Sequence, residues 1–392
     1  MKQQRIASID HLRGLIILLM ALDHVRMYFG EGTWYAEPTN LAATTPLLFF
    51  TRWITHFCAP VFVFLAGTSA YLYGAKKSTT KELSNFLLTR GLWLVIVELV
   101  IVNFAWTFDI TYSYRILQVI WAIGISMIVL SMLVFLPLKI ILGLGIILVL
   151  GHNLLDIITV SGNSFSNVLW YILHQQQFLI LESGIVVSFV YPILPWIGLM
   201  ALGYVSGSLY AHDLDSAQRR NWLLWIGTGA IVLFFILRGF NLYGEPKIWS
   251  GQSSLVYSIL SFLNTTKYPP SLHFLLMTLG PALVFLSLSE EVRTKLSAPI
   301  ILLGRVPFFF YVVHLFFIHA LASLYLVYQG QALDAYVVSA REIMSGRLGS
   351  FGVRLDAVYF IWILTVVLLY PLCKWYKGYK ESHPEKQWLS YL

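Results

Sequence analysis

The chain has 392 residues, of which 58% are hydrophobic and only 11% charged. Soluble proteins carry roughly 25% charged residues, so a water-soluble fold is excluded, and with it a disordered chain. The formal charge of +7 comes from 26 basic groups spread without a basic run, which excludes a nucleic-acid-binding protein and fits basic loops facing a cytoplasm.

A helix needs about 20 mostly apolar residues to cross a bilayer. The first apolar run, Leu15 to Leu22, has no small-residue cleavage site after it and passes into Asp23-His24-Val25-Arg26. It reads as a retained first helix rather than a signal peptide. In chain order the sequence predicts ten spans, near 8–29, 46–74, 86–107, 114–136, 138–155, 185–210, 221–240, 271–288, 300–327 and 355–375. An eleventh stretch, 165–182, is interrupted by His174-Gln175-Gln176-Gln177 and is expected as an interfacial or re-entrant helix. The predicted fold is all-α: one polytopic integral-membrane helix bundle over 1–392, with no soluble domain.

Lys and Arg in short loops set the orientation. Lys2 and Arg5, Lys76, Lys77, Lys81 and Arg90, Lys139, Arg219 and Arg220, Arg293 and Lys295, and the tail lysines 374, 377, 380 and 386 fall on one side if the chain crosses ten times. Both termini are then expected in the cytoplasm. Cys58 and Cys373 lie in apolar segments and offer neither a disulfide framework nor a zinc spacing.

Ionisable groups inside spans are expensive and face the protein interior. The first helix holds Asp10, Arg13, Asp23, His24 and Arg26. At 100° per residue, Arg13 and His24 differ by about 20° in azimuth and lie roughly 16 Å apart. Asp10 is placed to pair with Arg13, and Asp23 with Arg26 rather than with its neighbour His24. The second span holds Arg52 and His56, followed by Pro60, whose missing N–H opens the backbone at the His56 carbonyl. A buried ion pair, an interfacial cap and a kinked helix with a structural histidine are the plain alternatives. The ninth span carries His314 and His319, about 140° apart and so unsuited to one ligand. No H-E-x-x-H, C-x-x-C, Walker loop, GxGxxG or GxSxG is present, so no metal is expected and serine hydrolysis has no motif.

Ser8-Ile9-Asp10-His11-Leu12-Arg13-Gly14, leading into an apolar helix that ends in Asp23-His24, resembles the transmembrane acyltransferase superfamily. Within it the chain is similar to the heparan-α-glucosaminide N-acetyltransferase-like bacterial family. The supporting segments are His56 to Gly67, Leu194-Pro195-Trp196-Ile197-Gly198 with Gly203-Tyr204, Thr266 to Leu272, and Gly304 to Tyr311. The resemblance implies an enzyme of the cell (inner) membrane. It would take acetyl, or another acyl group, from cytoplasmic acyl-CoA and pass it to an amine or hydroxyl of an extracytoplasmic sugar or glycan. It implies His24 as a functional histidine. The loop from Gly30 to Thr45, where the lysosomal enzyme has its catalytic histidine, contains none here. The base is then His24 or His56, with Asp10 and Asp23 as accompanying carboxylates. Arg13, Arg90, Lys76, Lys77 and Arg305 are the local cations for CoA phosphates. Arg26, Arg52 and Lys267 are candidates for the acceptor. Acetyl-CoA would be a co-substrate and the bilayer the solvent, with monomer or homodimer left open.

Two other readings use the same residues. A transporter or flippase for a glycan or lipid intermediate would line its path with these charges, although no inverted repeat is evident. A non-catalytic scaffold has no use for so many buried ionisable groups.

Overall fold

The computed structural model describes residues 6–32, 34, 37–211, 214–290, 294–295, 297–345, 352–386 and 389. Lys2, Arg5 and Arg293, which help to set the expected orientation, lie outside the described residues. Helix α1 (Ala7–Phe29) runs uninterrupted until Gly30 turns extended at ψ 144°. Thr45 accepts the Leu48 N–H and, with Pro46 in the first turn, starts α2 (Pro46–Ile54). A 3-10 turn over Thr55–Phe57 separates it from α3 (Cys58–Gly74). This is the break expected from Pro60. Thr79 caps α4 (Thr80–Val97), and a π turn over Glu98–Val102 leads into α5 (Asn103–Thr107), which ends at Phe108 with φ 48°.

Next come β1 (Tyr114–Leu117), α6 (Val119–Leu133), α7 (Leu138–Gly151), α8 (Phe165–Leu173), β2 (Gln177–Ile180), β3 (Val186–Phe189) and α9 (Leu194–Ser206). The three strands form one sheet in the order β1-β3-β2. Tyr114 pairs with Val186 in parallel, and Gln177 with Phe189 antiparallel. The sheet corrects three expectations. The segments 114–136 and 185–210 begin as strands, because their leading β-branched and aromatic residues fit a pleated ladder. The segment 165–182 is a nine-residue helix followed by a strand, too short to span. Its polar run is used locally: His174 Nε2 lies 2.9 Å from Asp156 Oδ1, and the Gln175 amide bonds both the N–H and the carbonyl of Val160.

The remaining helices are α10 (Ser216–Gly239), α11 (Leu255–Leu263), α12 (Leu272–Leu288), α13 (Ser297–Gly304), α14 (Pro307–Tyr328), α15 (Ala340–Ser345) and α16 (Leu355–Ser382). The expected single span 300–327 is thus two helices. Its chain breaks at Arg305-Val306, where Pro307 disfavours helical geometry in the residue before it.

The fold is that of an all-α membrane protein. Helix occupies each of the ten predicted segments. Among the described residues six stretches are both long and apolar enough to cross a bilayer: Pro46–Gly74, Thr80–Thr107, Leu138–Leu155, Ser216–Gly239, Pro307–Tyr328 and Leu355–Ser382. Helix α1 is long enough but carries Asp10, Arg13, Asp23 and Arg26, while α6, α9 and α12 have 15, 13 and 17 residues.

Small residues let the helix backbones meet, as expected where lipid supplies no hydrophobic drive between helices. A Cβ at Gly14 would overlap the Ile300 carbonyl, and one at Gly304 the Asp10 carbonyl. Gly67 and Gly203 lock α3 to α9 in the same way. Trp362 donates to the Leu18 carbonyl at 2.8 Å, tying α16 to α1. Helix α1 is therefore the central post, with α3, α13, α14 and α16 around it.

Candidate active site

A cavity of about 520 Å³ lies alongside α1. Arg13, Lys76, Arg90, Arg305 and Lys380 line it toward the Ala7 end, and apolar side chains such as Met20, Leu94 and Ile120 line the rest, with Tyr311. Asp10 organises the cations: Oδ1 lies 3.3 Å from Arg13 Nη1, and Oδ2 lies 3.5 Å from Arg305 Nε. Arg13 also donates to Ser69 Oγ at 2.9 Å. The close approach of α1 and α13 at Gly14 and Gly304 brings these two arginines to one carboxylate. Four of the five cations expected from the sequence line this cavity. Lys77 does not: it lies over the Tyr73 ring at 4.8 Å and borders a separate depression with Thr79 and Tyr204. Both lysines lie in the turn that follows α3, where Lys76 N–H bonds the Tyr73 carbonyl and Lys77 N–H the Gly74 carbonyl, and successive side chains there point to different faces.

Beyond the cavity sits a pair of histidines. His24 Nδ1 is 2.7 Å from His314 Nε2, with the rings stacked at 4.9 Å. His314 Nδ1 is 2.8 Å from the Phe310 carbonyl one turn back. A carbonyl only accepts, so His314 Nδ1 carries the hydrogen and its Nε2 presents a lone pair. His24 must then donate from Nδ1, which leaves its own Nε2 as a lone pair. Among the described residues that Nε2 makes no hydrogen bond, and His24 is only partly buried. The Trp106 ring meets His24 edge-on at 4.9 Å and the Tyr311 ring at 6.1 Å. A wall residue of the cavity thus touches the histidine pair. Sequence reasoning missed His314. The helical wheel gives faces within one helix, while this contact depends on α14 packing beside α1.

A second polar cluster surrounds Asp23. Its Oδ1 accepts from Arg26 Nη2 at 2.9 Å and its Oδ2 from Arg52 Nη1 at 2.8 Å. Glu37 lies 3.8 Å from Arg52 Nε. Lys267 acts on Asp23 electrostatically and places Nζ over the Tyr268 ring at 5.1 Å. Arg26 is buried, yet among the described residues its Nε and Nη1 have no hydrogen-bond partner. His56 is buried in the 3-10 turn, its ring 5.3 Å from Phe274, and among the described residues its Nδ1 has no hydrogen-bond partner. Among the described residues no hydrogen bond or ring contact joins His56 to His24. The structure brings Asp23, Arg26 and Arg52 together and leaves His56 as a neighbour of Arg52.

Toward the Phe29 end an aromatic layer follows. Phe108 stacks on His319 at 3.8 Å, and Tyr28 lies against His319, Trp106 and Tyr336. Tyr28 donates to the Trp106 carbonyl at 2.8 Å, and Tyr336 to the Tyr28 carbonyl at 2.5 Å. Among the described residues no group of three or more His, Cys, Asp or Glu is arranged to hold a metal ion.

The arrangement places a cation-lined cavity, an imidazole with a free lone pair, and a guanidinium–carboxylate cluster in sequence along one helix. Such a set suits acyl transfer, which needs a proton acceptor beside a bound acyl group. Comparison with curated proteins gives no match. Residues 5–242, more than half of the chain, match the family model of the heparan-α-glucosaminide N-acetyltransferase catalytic region, and the chain belongs to this family of membrane acetyltransferases.

Proposed function

We propose that the protein transfers an acetyl, or another acyl, group from cytoplasmic acyl-CoA to an amine or hydroxyl of an extracytoplasmic sugar or glycan. On this reading the ten helical segments all cross the membrane and both termini are cytoplasmic. Arg13, Lys76, Arg90 and Arg305 receive the CoA phosphates, for which guanidinium and ammonium groups are suited. The apolar body of the cavity takes the pantetheine arm and brings the thioester to Tyr311 and His24. Asp10 holds Arg13 and Arg305 in place. The acceptor approaches from the Phe29 end, where Arg26, Arg52 and Lys267 meet its oxygens and Asp23 orients the two arginines.

Transfer then balances as follows. The acceptor heteroatom attacks the thioester carbonyl carbon while its proton passes to His24 Nε2. The tetrahedral intermediate expels the CoA thiolate, which takes the proton from the His24 imidazolium. His314 acts as a positioning residue that holds the His24 ring in the required tautomer. His56 serves as a supporting group beside Arg52.

The observation that carries the reading is the His24–His314 hydrogen bond beside a wall residue of the cationic cavity. It is tested on the purified full-length protein in detergent. Binding of acetyl-CoA is measured by calorimetry, and release of CoA thiol in the presence of glucosamine by a thiol reagent. Saturable acetyl-CoA binding is expected, abolished by an excess of CoA. Absence of any acetyl-CoA binding by the folded protein refutes the proposal.

A further inference from the structure

Tyr311 is 4% exposed, and among the described residues its hydroxyl closes no hydrogen bond. Buried hydroxyls are normally paired, because leaving water without a new partner is destabilising. Tyr311 lines the cationic cavity, and its ring lies 6.1 Å from that of His24 and 5.8 Å from that of His314. It stands one helical turn before His314, so the element that fixes the histidine pair also fixes this phenol. The indole N–H of Trp106 lies beside the hydroxyl without closing a hydrogen bond. An indole only donates, so it favours the orientation in which the phenol oxygen turns a lone pair to Trp106 and its hydrogen to the cavity.

We propose that Tyr311 is a catalytic residue: its hydroxyl donates a hydrogen bond to the thioester carbonyl oxygen and to the oxyanion that forms from it. The inference rests on the acyltransferase reading above and adds the group that reading lacks, a donor for the developing negative charge. As the acceptor attacks and its proton moves to His24 Nε2, the carbonyl π electrons settle on oxygen, where Tyr311 stabilises them. As the C–S bond breaks they return to re-form the carbonyl, and the thiolate takes the proton from His24. Tyr311 keeps its proton throughout. Donors aimed at such an oxygen from a dry site are effective because they need no reorganisation during the reaction.

The test uses full-length protein in detergent with [1-¹³C]acetyl-CoA. Infrared difference spectroscopy reads the carbonyl stretch of the bound donor, which a hydrogen bond lowers. The wild-type complex is expected to show a lowered stretch, and Tyr311→Phe to lose that shift while still binding acetyl-CoA, weakened by no more than about tenfold for one lost hydrogen bond. Turnover, followed as CoA thiol release to glucosamine or water, should fall about 10²-fold, the usual consequence of losing one such donor. 3-Fluorotyrosine placed at position 311 supplies a stronger donor in the same ring and should lower the stretch further. An unchanged stretch in both variants, or turnover by Tyr311→Phe within threefold of wild type, overturns the proposal. Were the hydroxyl kept instead for nearby Glu98, whose Oε2 also lacks a hydrogen bond among the described residues, Tyr311→Phe and Glu98→Gln would share a loss of thermal stability and leave the stretch unmoved. A wild-type protein that binds no acetyl-CoA refutes the acyltransferase reading itself. One that binds it without a variant-dependent stretch refutes only the role of Tyr311.

Discussion

His24 on α1 donates from Nδ1 to Nε2 of His314 on α14 at 2.7 Å, and the backbone carbonyl of Phe310 fixes the direction of that bond. The His24 tautomer is therefore set by a helix backbone, and among the described residues no carboxylate hydrogen-bonds either ring. An uncharged partner suits a site within the membrane, where an additional ionised group is costly.

His24→Ala is expected to abolish transfer with acetyl-CoA affinity preserved. Loss of a general base costs about 10²–10⁴-fold in rate. His314→Ala should be slower by about tenfold or more, since an unanchored imidazole samples the wrong tautomer. His56→Ala should be impaired with activity remaining. The order of these three in a CoA-release assay checks the assignment. Near-normal turnover by folded His24→Ala would pass the role of base to His56.

Arg90→Ala and Lys76→Ala should each weaken acetyl-CoA binding by up to about tenfold, equivalent to ~1.4 kcal/mol, with the loss shrinking at high salt. Lys77→Ala should leave binding unchanged, because that side chain borders a different depression. Calorimetry on the three variants decides it. Equal weakening by Lys77→Ala would place the phosphates elsewhere.

Asp109 lies outside the spanning helices and accepts from the N–H and hydroxyl groups of both Thr111 and Ser113, at 2.6–2.9 Å. Burial pushes its carboxyl upward, but these bonds outweigh burial and hold it below the usual carboxylate range. The folded state then binds the proton less readily than the unfolded chain, whose carboxyl titrates near about 3.9. Its contribution to stability is present above that value and is lost as the pH falls through the folded one. Asp109→Asn should lower the thermal midpoint at pH 7, and the gap to wild type should close on acidification toward pH ~3. A gap independent of pH would contradict this account.

A methyl group at Gly304 meets the Asp10 carbonyl across the α1–α13 contact, whereas one at Gly229 meets only open space. Gly304→Ala should cost about 1–3 kcal/mol, as overpacking does, and disturb donor binding, since Arg13 and Arg305 share Asp10 across that contact. Gly229→Ala should be neutral or slightly stabilising, because alanine is the better helix former. Thermal midpoints of the two proteins side by side would show it.

Impermeant maleimide applied to intact cells should label cysteine at Gly162→Cys or Gly330→Cys and miss Ser78→Cys and Glu381→Cys. Reaction at Glu381→Cys would give the chain an odd number of crossings.

Helix positions were legible because apolar runs, prolines and caps act locally: Pro60 and Pro307 each mark an observed break. The strands were not, since four-residue apolar runs such as Val186–Phe189 look alike in a helix and in a sheet buried on both faces. Within the site, Asp10–Arg13 and Asp23–Arg26 follow from three-residue spacing on one helix. Contacts between helices, namely Arg52 with Asp23 and His314 with His24, depend on packing that no single-helix periodicity encodes.

The aromatic layer over His319 bears on the electrical integrity of the membrane. On the proposed function, the acyl group would travel as covalent cargo from one bound molecule to another and require no aqueous passage. Tyr28, Trp106, Phe108 and Tyr336 pack ring against ring, and carbonyl hydrogen bonds tie two of their hydroxyls in place. On the proposed reading, such packing would oppose the passage of sodium, potassium and protons beside the transfer path. A cell carrying many copies would keep its voltage and its ion gradients, and a lipid film holding the protein would retain the resistance of bare lipid.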